Sequence, residues 1–334
     1  MELTLDGDVV RAGGEARERF YDSRGYGRAR NGDLDLAPVE AAHLLYRGDI
    51  EGIDGMDFRA LLTSSAVSEV AFLVYKDLRD RGFYLSPARE GWVDDPAGAD
   101  FVVYPRGKGP WDGAVAYRVR VVGERDTVDA AALGECVLAV VDEESEVTYL
   151  ETDRPAVGGT SVAAVPETEG DLLAERVLCW DPPAALYESA FYGQRLDDDG
   201  AVQLSLVEAA YLAREGLLSV DGGADAVVER GRAVEGERFD RRLAVYDALR
   251  SSGVAPKTGF KFGADFRTYA DVTSADDLGH SELLVRVLPA DHAFEPRDLA
   301  LDVRLAHGVR KRMAFALVDD AGDIEWVAVE RLTP

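Results

Sequence analysis

Lysine is nearly missing from this chain of 334 residues: Lys76, Lys108, Lys257, Lys261 and Lys311 are the only five among 37 basic residues. Cysteine is scarcer still, with Cys136 and Cys179 alone. Two scattered cysteines make neither a disulfide framework nor a four-ligand zinc site, so a reducing cytoplasm is the expected location. No apolar run reaches the roughly 18 residues of a membrane span, so no membrane partner is expected. The opening MELTLDGDVVRAGGEARERF lacks a basic segment followed by an apolar one, which argues against secretion. Also absent are a Ser or Cys nucleophile in a recognisable elbow, an HExxH pair, a P-loop and a GxGxxG turn. No clustered carboxylates with an adjacent ExK stand ready to hold magnesium, so no metal and no cofactor are expected.

What is abundant is acid. Asp and Glu number 63, the formal net charge is −26, and hydrophobic residues make up 47%. That apolar fraction excludes disorder and suits two to four domains. Acid spread over the whole chain, with Arg kept and Lys removed, resembles the proteins of salt-loving archaea. Dense carboxylates hold water and cations, and at molar salt their repulsion is screened within roughly 3 Å. Net charge then says little about a nucleic-acid partner, because binding at such salt rests on short contacts, stacking and shape.

The chain is written twice. VEAAHLL at Val39–Leu45 returns as VEAAYLA at Val207–Ala213, and FYDSRGYGR at Phe20–Arg28 returns as LYESAFYGQ at Leu186–Gln194. LVYKDLRDRGF pairs with LAVYDALRSSGV, ADFVVY with ADFRTY, YRVRVV with LLVRVL, and LAVVDEESEVTYLE with FALVDDAGDIEWVAV. Six matches in one order define two repeats, 1–165 and 166–334, joined through the Pro-, Gly- and acid-rich stretch Thr152–Pro183. Helical spacing falls on Leu36–Arg47, Arg59–Arg81, Ser205–Glu215 and Phe239–Ser251. Strands are expected at Phe101–Tyr104, Val115–Val122, Val137–Val141, Phe266–Tyr269, Glu282–Leu288 and Met313–Val318. Pro296 opens a further helix, Glu295–Arg310. Each repeat therefore reads as a helical front half and a strand-rich back half with one crossover helix. The fold class is α/β, mixed with α+β, with subdomains at about 1–84, 85–152, 184–253 and 254–334.

Duplication supplies an internal control: framework residues survive in both copies, whereas chemistry can survive in one. Tyr269 has a counterpart in Tyr104, but His280 falls near Ala114, Lys311 near Gly134 and Arg304 near Thr127. The second copy alone thus carries a tyrosine, a histidine and a lysine that could converge from strand, loop and helix end. If the helix continues to Lys311, then Arg304, Gly308 and Lys311 share one face while Leu299, Val303 and Ala306 pack on another. Such a trio suits metal-free RNA cleavage, in which one group takes the 2′ proton, another protonates the 5′ leaving oxygen, and a cation steadies the phosphate. A phenol is a weak base at neutral pH unless a close cation favours its ionised form. A non-catalytic RNA-binding subunit and a metal-dependent DNA nuclease are the competing readings. The retained trio argues against the first, and the missing acidic ligands against the second. His307 reads as a satisfied structural histidine, and His43 and His292 as ordinary surface or partly buried residues.

Across FKFGADFRTY, GHSELLV, RLAHGVRKRMAFALVD and GDIEWVAVERL, the second copy resembles the archaeal tRNA-intron (tRNA-splicing) endonucleases. The first copy resembles the degenerate repeat of their branch in which one chain carries two repeats and the enzyme is a homodimer. The resemblance implies an N-terminal α/β subdomain and a restriction-endonuclease-like C-terminal subdomain in each repeat. It implies cleavage of precursor tRNA at both intron–exon junctions in a bulge-helix-bulge fold, leaving 2′,3′-cyclic phosphate and 5′-hydroxyl ends. Tyr269 would be the general base, His280 the general acid and Lys311 the transition-state cation. Arg304 and Trp326 would fall on a pair, drawn from the two active units, that clamps a bulge base. Some relatives carry Arg at the latter position, and a tryptophan there can still stack. The acidic turn of the inert repeat, with Asp142, Glu143, Glu144 and Glu146, would enter a basic pocket on the partner chain's active repeat.

Overall fold

The computed structural model describes residues 3–196, 200–275, 277–278 and 281–334. Each repeat begins with a small four-stranded antiparallel sheet, Leu3–Leu36 in the first and Asp171–Ser205 in the second. A helix follows at once, Pro38–Tyr46 or Leu206–Arg214. The shared VEAA motif explains the junction. Glu40 accepts the backbone N–H groups of Gly27 and Ala37 at 2.7 and 2.9 Å. Glu208 accepts those of Gly193 and Ser205 at 2.9 and 3.0 Å. One buried carboxylate thus ties each helix start to its sheet, satisfying N–H groups that have no partner inside the helix.

The back halves supply strands β1 (Leu85–Pro87), β2 (Phe101–Val103), β3 (Tyr117–Gly123), β4 (Cys136–Val141) and β5 (Val147–Asp153) from the first repeat. From the second come β6 (Ala255–Thr258), β7 (Phe266–Tyr269), β8 (Leu283–Pro289), β9 (Arg312–Val318) and β10 (Ile324–Leu332). All ten form one sheet in the order β6-β7-β8-β9-β10-β5-β4-β3-β2-β1. The order reads alike from either edge, with β3/β4 and β8/β9 parallel and the other neighbours antiparallel. The two repeats therefore meet last strand to last strand, from Tyr149 opposite Leu332 to Asp153 opposite Ala328. Arg312 reaches across this seam to Asp153 at 2.5 Å. Leu138, Val140 and Leu150 of the first repeat share a core with Leu284, Phe315 and Val329 of the second.

Four sequence expectations change. The helix expected at Arg59–Arg81 is two, Phe58–Thr63 and Glu69–Asp80. Asp57 and Ser68 each cap a new start, and Ser65 between them has a positive φ of 62°. Helix Gly223–Glu235 was not anticipated. Only the second repeat has a full crossover helix, Pro296–Gly308; the first has a single turn, Ala130–Ala132. The connection 124–135 is too short for a three-turn helix and its two loops, whereas 290–311 has room. That helix also stops at Gly308 rather than running on to Lys311.

Candidate active site

The end of helix Pro296–Gly308 decides where Lys311 goes. Leu299, Val303 and Ala306 anchor the helix in the core against β9 and β10. After Val309, Arg310 turns to a left-handed φ of 56°. The Arg310 N–H then donates to the His307 carbonyl at 3.0 Å, and the Lys311 N–H to the Ala306 carbonyl at 2.9 Å. This pair of bonds is a Schellman ending. It reverses the chain into β9 and takes Lys311 off the helix face that Arg304 occupies. The Lys311 Nζ donates instead to the Ser281 carbonyl at 2.7 Å. Partial burial, and then the nearby Arg267 guanidinium, hold Lys311 below the ordinary lysine pKa.

Tyr269 closes β7. Only 6% of it is exposed, and its ring meets Phe191 edge to face at 5.6 Å between centroids. Arg267, two residues earlier and so on the same sheet face, lies with Cζ 5.7 Å from the Tyr269 ring centre. Sequence reading passed over Arg267 and Ser281; one available signal is that the first repeat has no arginine in its matching ADFVVY segment. His280 lies outside the described residues, and Ser281 is the first described residue after it. The structure thus brings Lys311, Ser281, Arg267 and Tyr269 into one neighbourhood.

Arg304 is exposed on the crossover helix and lines a groove of about 500 Å³ with Arg297, His307 and Arg331, beside Thr148 and Leu150 of the first repeat. His307 is therefore exposed, where a satisfied structural histidine was expected. Trp326 does not join Arg304. It stands opposite Ala316 and packs toward the core of Phe239 and Tyr246, on the sheet face away from the crossover helix. His43 is more than partly buried: it is 1% exposed, bonded to the Tyr26 hydroxyl at 2.9 Å, and its pKa is driven down to about 4, chiefly by burial. His292 stacks edge to face on Phe294.

The acidic turn is a fully exposed hairpin tip. Asp142 Oδ1 accepts the N–H groups of Glu144 and Glu146, both at 2.9 Å, and Glu143 pairs with Arg125. Asp319 builds the corresponding turn of the second repeat in the same way, accepting from Ala321 and Asp323. Asp142 is thus occupied with shaping its loop, while Glu144 and Glu146 have no cationic partner among the described residues. Among the described residues no three His, Cys, Asp or Glu side chains gather as a metal shell requires.

Known proteins agree on one family. The tRNA intron endonuclease catalytic C-terminal domain matches residues 239–326, and the N-terminal domain of the same family matches twice, at 1–62 and 168–230. The chain therefore belongs to the tRNA-splicing endonuclease family, and it is an endonuclease. It is 83% identical to the tRNA-splicing endonuclease of Haloarcula marismortui, with the whole of both chains covered. Those of Natronomonas pharaonis and Haloferax volcanii are 67% and 59% identical, again over the whole of both chains.

Proposed function

We propose that this chain cuts precursor tRNA at both intron–exon junctions in a bulge-helix-bulge fold, by metal-free transesterification. The 2′ oxygen bonds to phosphorus as the bond to the 5′ oxygen breaks. Tyr269 takes the 2′ proton, His280 gives a proton to the departing 5′ oxygen, and Lys311 offsets the charge on the phosphate. The products are a 2′,3′-cyclic phosphate and a 5′ hydroxyl. The observation that carries this reading is the Lys311 ammonium bonded to the Ser281 carbonyl, with Tyr269 and Arg267 on the strand beyond.

The domains follow the repeats, 1–165 inert and 166–334 catalytic, each ending in a restriction-endonuclease-like subdomain. The working unit is a cytoplasmic homodimer, whose twofold symmetry sets two cutting sites a fixed distance apart. A cavity of about 450 Å³ between the subdomains of the catalytic repeat is lined by Arg176, Arg242, Lys257 and Arg267, together with Glu175, Glu208 and Glu235. It supports the reading that Glu144 and Glu146 of a partner dock there. Arg304 reads the RNA from its groove. Since Trp326 sits on the other sheet face, a base clamp using both residues draws one from each chain. Incubating the protein with bulge-helix-bulge RNA in EDTA and multimolar KCl tests the activity. Cyclic-phosphate ends are expected, and uncut RNA or 3′-hydroxyl ends would reject the mechanism. Lys311→Ala and His280→Ala should each slow cleavage about 10²–10⁴-fold.

A further inference from the structure

Arg267, on the strand that carries Tyr269, has no carboxylate partner among the described residues. Its Nε is buried without a hydrogen-bond partner among the described residues. Across Lys311, Ser281 is 6% exposed, and its hydroxyl is likewise buried and unpartnered among the described residues, although its carbonyl holds Lys311. Two like charges, close enough for Arg267 to depress Lys311, stand next to orphaned donors. Each of those features is unfavourable in the free protein and is relieved when an anion enters.

The other repeat shows what the position becomes when chemistry is not required. Matching ADFRTY to ADFVVY sets Val102 in place of Arg267, and the strand registers then set Ser86 in place of Lys257. Val102 is 2% exposed, and Ser86 takes a hydrogen bond from the Tyr104 hydroxyl at 2.9 Å. The inert copy thus closes this face with an apolar side chain and a neutral bond, where the catalytic copy keeps an unpaired guanidinium.

We propose that Arg267 is a catalytic residue that binds a non-bridging oxygen of the scissile phosphate and, with Lys311, holds the negative charge that builds as the 2′ oxygen adds to phosphorus. A guanidinium suits this task, because it remains charged and offers several N–H donors in a fixed plane. The assignment rests on the transesterification reading above. The rival role is structural: Arg267 also lines the cavity offered to the partner's acidic turn.

The test is single-turnover cleavage of bulge-helix-bulge RNA at saturating enzyme in multimolar KCl, with sedimentation and thermal melting run on the same samples. Arg267→Ala should cut about 10²–10³-fold more slowly, with the wild-type sedimentation and melting point, and Arg267→Lys should recover part of the rate. Substrates carrying sulfur in place of each non-bridging oxygen give a second readout. One sulfur position should slow the wild type strongly and Arg267→Ala much less. Wild-type cleavage by Arg267→Ala, an unchanged sulfur effect, or a rate lost only together with a change in sedimentation would overturn the proposal. If the alanine variant does not fold, Arg267→Lys and Arg267→Gln carry the same comparison. Wild-type products without a cyclic phosphate would remove the underlying reading, whereas cyclic-phosphate products with an unaffected variant would remove the Arg267 role alone.

Discussion

Replacing Lys257 by Met should turn Glu208 into a second Glu40, and the protein contains its own standard for the result. Both glutamates are buried at a helix start and accept two backbone N–H groups. Of the two, only Glu208 has an ion-pair partner among the described residues, the Lys257 ammonium at 3.5 Å. Burial works to raise the Glu208 pKa, but Lys257 and the Ser205 and Gly193 bonds outweigh it and leave it below the usual carboxylate range. Glu40, without a lysine, is pushed up to about 7 by burial. In the variant, Glu208 keeps a buried charge with no counter-ion, and the Phe191 and Gly193 carbonyls lose the same ammonium donor. Breaking a buried pair from one side costs about 3–5 kcal/mol. The sign with pH is also fixed. The wild-type pair stabilises above the unfolded carboxyl pKa and fades as pH falls through the depressed folded value. The variant, with a raised folded value, loses stability as pH rises through the unfolded and then the folded pKa. Urea unfolding followed by circular dichroism in multimolar KCl at pH 5, 6 and 7 measures both effects, since a buried pair is little screened by salt. The deficit should be largest at pH 7 and shrink toward pH 5. A deficit below about 1 kcal/mol, or one that grows as pH falls, would refute the reasoning.

Glu40 gives the mirror experiment. Its folded pKa of about 7 against an ordinary 4.5 means the folded state holds its proton longer, so wild-type stability should fall by roughly 3 kcal/mol as pH climbs through that window. Glu40→Gln should flatten that slope while lowering stability at pH 5, where its amide nitrogen cannot accept the bond that a carboxyl oxygen takes from Gly27 or Ala37; an unchanged slope in urea titrations would contradict this. Arg310→Gly removes a side chain held at a φ of 56° and should raise the thermal midpoint, by about 1 kcal/mol in free energy; a lowered midpoint would show that the arginine side chain matters more than its backbone. On the proposed homodimer, Glu144→Lys with Glu146→Lys should leave a monomer in sedimentation at high salt, with the hairpin held by Asp142 intact; an unchanged mass relative to the wild type would remove the turn from the interface.

Much of this architecture was legible because its signals are local. Ser205 followed by Glu208, Pro296 at a helix start, and the short apolar run Met313–Val318 each mark an element by capping or pattern, whatever it packs against. The repeats made those signals doubly visible. The missing crossover helix of the first repeat was countable from the length of its connection. The end of the second repeat's crossover helix was harder. Arg310 carries the side chain of a good helix former, yet its backbone turns left-handed because the chain must reverse into β9 at Arg312. Trp326 stands on the sheet face away from the crossover helix, an orientation that its place in the sequence does not give on its own.

The sequence by itself determined the duplication, the acid-rich surface, the core of each unit and the residues kept in only one copy, because composition and period are properties of short stretches of chain. Tertiary structure decided that β5 and β10 join the two repeats into one sheet, that Lys311 rests on the Ser281 carbonyl, and that Arg267 shares a face with Tyr269. Those are choices of edge, face and partner among backbone groups far apart along the chain, and only the completed packing distinguishes one strand edge from another.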